Sequence, residues 1–446
     1  MSIDAVILEP MRVNLATAFR SHDQAVGLCR WLCGALLWML SCQSQAAGAG
    51  QTLVVAAYPA VDEVIRSVLP QWKRAHPNTE IRVLSRSFDD HHTVLATALS
   101  TASNLPDVML IEVGYLGRFA AGGRLSDLSQ APFLIKEQQA RFAPFAFRQA
   151  TARSGAGIAA PADIGPGTLL YRADLLKAAG VAEAELTQSW DTYLAAGLKI
   201  KAATGASLLP HARNLAEVMI RTTTVATQSP YFDASDRVLV ESERFVKAFE
   251  MALKLRHLNL DARQTSWSSG WVASVRGGAV ATLMTGSWMV GDLAGSVAPD
   301  DSGRWRAAPL PQGSVNSWGG TFYTIPKGAK NKQLAWEFIQ FMTLRRKTQL
   351  QAFKLQSAFP ALLEAYTDPL FDQGIAYLGG QAAWQLWRET VARIPDGSVH
   401  ELDLDARIIV NNELTKVLDH GKDVALALRD AQLALERLLR TTVLRR

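Results

Sequence analysis

Trp288 follows Gly286-Ser287, Trp318 precedes Gly319-Gly320, and neither tryptophan lies in a hydrophobic run. A core indole normally sits on the apolar face of a helix or strand, whereas one flanked by glycine and serine is held out by a turn. A flat ring beside bare backbone suits a saccharide, whose C–H faces stack on indole while its hydroxyls bond to polar neighbours. Glycines at 319 and 320 would let backbone amides approach such a ligand. The plainer readings are a strand-end core tryptophan for Trp288 and a simple turn for Trp318-Gly319-Gly320. Trp267 and Trp271, in Ser266-Trp267-Ser268-Ser269-Gly270-Trp271, stand either on the rim of a site or in packing.

Polar partners come from the ends of predicted strands. Thr52–Ala57 reads as a buried strand, and Val61 to Ala75 carries apolar residues at helical spacing, through Val61, Val64, Ile65, Val68, Leu69 and Trp72. Ile81–Leu84 is a second strand, His91 to Ala102 a second helix and Val108–Ile111 a third strand. This alternation predicts an α/β fold with a mainly parallel sheet, and such sheets bind ligands beyond the carboxyl ends of their strands. Those ends hold Tyr58, Asp89 and Asp90, and Glu112 with Tyr115. A carboxylate accepts two hydroxyl hydrogen bonds, which suits a vicinal diol; the alternative for Glu112 and Asp90 is a surface loop acid. A second α/β region begins near Pro161. It holds a strand at Thr168–Tyr171, a helix capped by Ser189 with Trp190, Tyr193, Leu194 and Leu198 on one face, a helix from Glu241 to Leu258 and a strand at Val280–Met284. Asp423 caps a C-terminal helix.

Other chemistries find little support. The chain lacks a Gly-x-Ser-x-Gly elbow, a His-Glu-x-x-His helix and a phosphate-binding Walker loop. His91-His92 follows Asp89-Asp90, but adjacent side chains on a regular element point apart, so the pair reads as a solvated helix start and no metal or cofactor is expected. The 46 basic and 41 acidic residues give a net charge of +5 and are spread along 446 residues. No long basic run marks a nucleic-acid surface.

The N-terminus has a character of its own. Arg20 and Arg30 precede an apolar centre, Trp31 to Leu40, and small residues follow through Ala46. This is the pattern of a secretory signal peptide, here residues 1–46, and the apolar run is too short for a membrane span. The alternative is lipid attachment at Cys42, although Met39-Leu40-Ser41-Cys42 departs from the usual lipobox in its first residue. All three cysteines (Cys29, Cys33, Cys42) lie in this leader, so the exported chain is expected to use neither disulfides nor cysteine chemistry.

The ordered set of motifs resembles a known family. Pro106-Asp107-Val108, Gly123-Arg124-Leu125-Ser126-Asp127-Leu128, Leu170-Tyr171-Arg172-Ala173-Asp174-Leu175-Leu176, Ser189-Trp190-Asp191, Gly286-Ser287-Trp288, Trp318-Gly319-Gly320 and Ile325-Pro326-Lys327-Gly328 occur in sequence. They resemble the extracellular solute-binding proteins, family 1, of ABC importers, the maltodextrin-binding-like sugar receptors, over the whole mature chain. The resemblance implies a two-lobed periplasmic-binding-protein fold (type II) joined by hinge strands, with crossings near Pro161, Thr324 and Pro395. The first lobe would comprise 51–161 and 324–394, and the second 162–323 and 395–446. It implies a periplasmic, monomeric, non-enzymatic receptor that hands its sugar to the permease subunits. Trp288 matches the family's stacking aromatic, and Asp163, in Pro161-Ala162-Asp163, a polar position that often contacts sugar. Where maltodextrin receptors carry a further aromatic after the third crossing, this chain has Glu401-Leu402-Asp403-Leu404. A mono- or short oligosaccharide is therefore expected rather than a long maltodextrin. The competing readings are a secreted carbohydrate-active enzyme, or the same fold holding a polyol or glycerophosphodiester.

Overall fold

The computed structural model of the protein describes residues 50–222 and 225–444. The leader read at 1–46, with Cys42, lies outside them. In chain order, the elements that build the site begin with β1 (Gln51–Ala57), α1 (Val61–Ala75), β2 (Thr79–Ser85), α2 (Phe88–Thr101), β3 (Val108–Glu112) and α3 (Val113–Ala120). Next come β4 (Ala160–Pro161), β5 (Asp163–Ile164), β6 (Gly167–Arg172), α4 (Trp190–Thr204), α5 (Ala212–Arg221), α6 (Glu243–His257) and α7 (Ser269–Arg276). They finish with β7 (Thr282–Gly286), β8 (Trp305–Ala308), β9 (Thr321–Thr324), α8 (Lys332–Thr343), β10 (Phe359–Pro360), α9 (Asp403–His420) and α10 (Val424–Val443).

Local sequence accounts for these elements. On α1 the apolar stripe Val64, Ile65, Val68 and Trp72 is buried, with Asp62 and Glu63 in the first turn and Lys73 and Arg74 in the last, matching the helix dipole. Ser189 caps α4 by accepting the Thr192 N–H at 3.0 Å. Leu198, expected on the buried face of α4, is 44% exposed. The inward stripe runs instead through Trp190, Tyr193, Ala196, Gly197 and Ile200, because Gly197 lies against Leu208 so closely that a Cβ there would sit 2.6 Å from a Leu208 methyl. Asp423 caps α10 by accepting the Leu426 N–H at 2.9 Å.

Two sheets organise the chain. The first has the order β2-β1-β3-β9-β4. β1 and β3 run parallel, with Val55 opposite Val108, as the βαβ alternation predicts. β3, whose Val108–Ile111 run is fully buried, is flanked on its other side by β9, which runs antiparallel and sets Glu112 opposite Thr321. The second sheet, β7-β6-β8, is antiparallel at both pairings, with Gly167 opposite Gly286. The mainly parallel expectation therefore holds only for the βαβ unit that opens the first sheet, since β9 and β6–β8 reach their partners through long excursions rather than successive crossover helices.

The C-terminal helices share an apolar core with β6 and with α4 to α6, through Leu402, Val410, Leu414, Leu428 and Leu435. The segment from Ile375 to Arg393, read from the resemblance as part of the first lobe, is bonded to the second sheet. Gln381 accepts the Ala307 N–H and donates to its carbonyl, and the Tyr377 hydroxyl donates to Ala298 O. Trp384 and Trp387 are buried there as packing residues.

Candidate ligand-binding site

The candidate site lies where the chain passes from one sheet to the other. Gly165-Pro166 leads into β6 at Gly167, and both the exit of β7 and the loop before β9 are tied to it. Ser287 N–H donates to Pro166 O at 3.0 Å, and Trp318 N–H donates to Gly165 O at 2.7 Å. Trp288 leaves β7 at this point, and its indole Nε1–H donates to Trp318 O at 2.7 Å. A Cβ on Gly165 would lie 1.9 Å from Trp318 O, and one on Gly286 2.3 Å from the Trp288 Nε1. Only bare backbone allows the indole this seat. Gly319 (φ 85°) and Gly320 (φ 130°) hold backbone that side chains rarely adopt. Gly165, Gly286 and Gly319 leave the room in which Trp288 is seated.

Trp288 keeps a partly exposed ring. Trp267, 54% exposed and at φ 69°, lies nearly parallel to it with centroids 6.2 Å apart. Trp271 beneath is buried, so of the two tryptophans Trp271 is a packing residue and Trp267 the exposed one. Trp318 faces the other way, with the Arg221 guanidinium 4.9 Å over its ring.

The acids converge on Thr321. Tyr58 OH meets Thr321 Oγ1 at 2.8 Å, and Asp163 Oδ1 accepts the Thr321 N–H at 3.2 Å. Burial pushes the Asp163 carboxyl up to about 6, against the Thr321 hydrogen bonds and with help from the nearby Glu112 charge. Glu112 caps α3 by accepting the Gly114 N–H at 2.8 Å, and burial raises its pKa against the pull of Arg407 and Arg221. A Cβ on Gly319 would stand 3.2 Å from Trp288 Nε1 and 4.0 Å from Glu112 Oε1, so the acidic and aromatic groups meet at that glycine. Asp90 does not join them: it is exposed in the first turn of α2 and accepts the Ser87 hydroxyl at 2.6 Å.

His91 and His92 are not a solvated helix start; both are buried. His91 Nε2 bonds Leu110 O at 2.7 Å. His92 Nδ1–H donates to Phe88 O at 2.8 Å, and its Nε2 accepts the Glu112 N–H at 3.2 Å. The His92 ring stacks on Tyr115 at 3.9 Å, and Tyr58 packs edge-on against Phe88 and His91. The pair is a buried aromatic brace behind β3, which fixes the backbone of Glu112. Among the described residues, no group of three His, Cys, Asp or Glu could hold a metal ion, and no helix is long and apolar enough to cross a membrane.

Beside this cluster opens a pocket of about 800 Å³, counting the solvent at its mouth, between the start of α3 (Val113, Gly114) and a wall carrying Arg221, Tyr231, Ser317, Asp403 and Arg407. Asp403 accepts the His400 N–H at 2.7 Å, and burial pushes it up to about 7. None of these wall residues was singled out from the sequence. Arg221 and Arg407 are ordinary helix arginines there, with no motif around them; the Glu401–Leu404 stretch was noticed only for lacking an aromatic.

Two sheets flanked by helices, joined by segments that pass from one to the other, are the build of a two-lobed solute-binding protein. Comparisons agree. A lactose-binding protein of Rhizobium radiobacter is 23% identical over 386 residues, covering 82% of this chain and 89% of that one. A solved extracellular solute-binding protein of family 1 superposes with a TM-score of 0.76 at 23% identity, over 87% of this chain and 99% of that chain. The galacto-N-biose/lacto-N-biose I-binding protein of a Bifidobacterium longum ABC transporter, solved with lacto-N-biose, gives 0.74 at 17% identity, over 88% and 98%. The chain belongs to the bacterial extracellular solute-binding proteins, whose family pattern matches residues 70–377.

Proposed function

We propose that the protein is the substrate-binding component of an ABC importer and captures a mono- or short oligosaccharide at the junction of its two lobes. The observation that carries this reading is Trp288. Its ring is seated by a hydrogen bond to Trp318 O, flanked by the exposed Trp267 and set near Glu112 across Gly319, with Asp163 bonded to the neighbouring Thr321. An aromatic face next to buried hydroxyl acceptors is the pairing a sugar ring needs. Relatives described as binding lactose and lacto-N-biose support a short saccharide. We read the lobes as dividing at 162–166 and 309–320, and the bonds from Gln381 to Ala307 and from Tyr377 to Ala298 support assigning the 375–393 segment to the second lobe. Closure about these strands brings both walls onto the ligand. Export by the 1–46 leader, action as a monomer, delivery to the permease and the absence of turnover complete the reading.

The test is intrinsic fluorescence of refolded protein titrated with mono- and disaccharides, with the sugar analysed afterwards. A saturable change, abolished in Trp288→Ala, with the sugar recovered intact is expected. Cleaved sugar would point to an enzyme. No response from a well-folded protein to any sugar would remove the carbohydrate reading.

A further inference from the structure

The pocket beside the aromatic cluster carries more positive charge than a neutral sugar requires. Arg221, the last residue of α5, and Arg407, in the second turn of α9, both line it. Neither makes a hydrogen bond or ion pair with another described residue; Arg221 only rests over the Trp318 ring. Both guanidiniums attract Glu112, and Arg221 also attracts Asp403, but neither acid forms an ion pair with them. Glu112 stays outside ion-pair distance, with Oε2 held by Gly114 N–H. Asp403 has Oδ2 held by His400 N–H, and burial favours its uncharged form. Glu217, on α5, accepts from the Asn411 amide. Two guanidiniums therefore line the pocket with no side-chain hydrogen bond or ion pair to a described residue.

Closure of the lobes over a neutral ligand would strip water from both cations and give them no paired counter-ion, which is costly. A carboxylate supplies the charge and accepts paired N–H bonds from a guanidinium fork. Tyr231 offers a ring on the same wall, and Ser317 a hydroxyl. We infer that the pocket takes an acidic saccharide, a sugar bearing a uronate carboxylate, with Arg221 and Arg407 as the carboxylate's partners. This rests on the receptor reading above and narrows its substrate class.

The test is calorimetric titration of the whole exported chain with mono- and disaccharides of galacturonic and glucuronic acid, their methyl esters, and the matching neutral hexoses. An acid should bind about 10- to 100-fold more tightly than its own ester, the range set by charge-assisted hydrogen bonds, and salt should weaken the acid but not the ester. In Arg221→Gln and Arg407→Gln, checked for folding by thermal melts, the acid-to-ester ratio should fall toward one. The acid–ester comparison on the unaltered protein decides the matter even if a variant fails to fold. An ester or neutral hexose that binds as tightly as the acid overturns the inference and leaves the sugar receptor standing. Binding by none of the sugars, charged or neutral, overturns the receptor reading itself.

Discussion

At the scale of residues, the site depends on what is missing as much as on what is present. Gly165 has no room for a methyl group: its Cβ would lie 1.9 Å from Trp318 O and 3.0 Å from Trp288 Nε1. Gly165→Ala should break the bond between Trp288 Nε1 and Trp318 O and lower stability by about 1–3 kcal/mol, the usual range for overpacking. A thermal melt together with the Trp288 emission spectrum checks this; a variant with unchanged emission and Tm would mean the indole is seated by something else. Trp288 and Trp318 stand out in the sequence because glycine and serine flank them. Thr321 does not, although Tyr58 and Asp163 both bond to it, since a lone threonine in a short strand carries no signal until a sheet places it opposite Glu112.

At the scale of elements, capping and amphipathic patterns located the helices well. The apolar stripe of α1 and the Ser189 and Asp423 caps are where the sequence placed them. Ser189→Ala removes an acceptor from the Thr192 N–H and should cost about 1 kcal/mol, read as a shift in denaturant midpoint with no change in slope. No shift would show that the Thr192 side chain, which accepts the Ser189 N–H at 3.0 Å, holds the turn alone. Strand direction was harder to read. Alternating strands and helices imply parallel pairing, but β9 enters the first sheet from residues far along the chain and runs antiparallel. Local sequence carries no record of that pairing.

At the scale of the whole molecule, the two buried histidines link stability to pH. Burial lowers both, His92 to about 4, while an unfolded histidine titrates near 6.5. Between those values the unfolded chain binds more protons than the folded one, so this contribution to stability is present above about pH 6.5 and lost as pH falls toward 4. Asp163 and Asp403, raised to about 6 and about 7, act in the opposite direction. Their contribution is fullest near the unfolded carboxyl range and declines as pH rises through the same window. Comparison of variants separates the two effects. His92→Gln should lose less stability than the natural chain on acidification from pH 7 to 4.5, measured by chemical denaturation at each pH. Parallel curves would mean that His92 keeps its ordinary pKa. Protonation of His92 also removes the acceptor for the Glu112 N–H, which ties the acid side of the site to the same titration.

The sequence by itself determined the helices, the core strands of the first sheet and the tryptophans offered by glycine-rich turns, because each is written in a short window of spacing and flanking residues. Only the tertiary structure decided that Asp90 stays on the surface and that His91 and His92 are buried behind β3. It also decided that Arg221, Arg407 and Asp403 share a wall with the start of α3. Those outcomes depend on which distant segments a sheet brings side by side, and burial, charge balance and pKa follow from that neighbourhood rather than from the residues themselves.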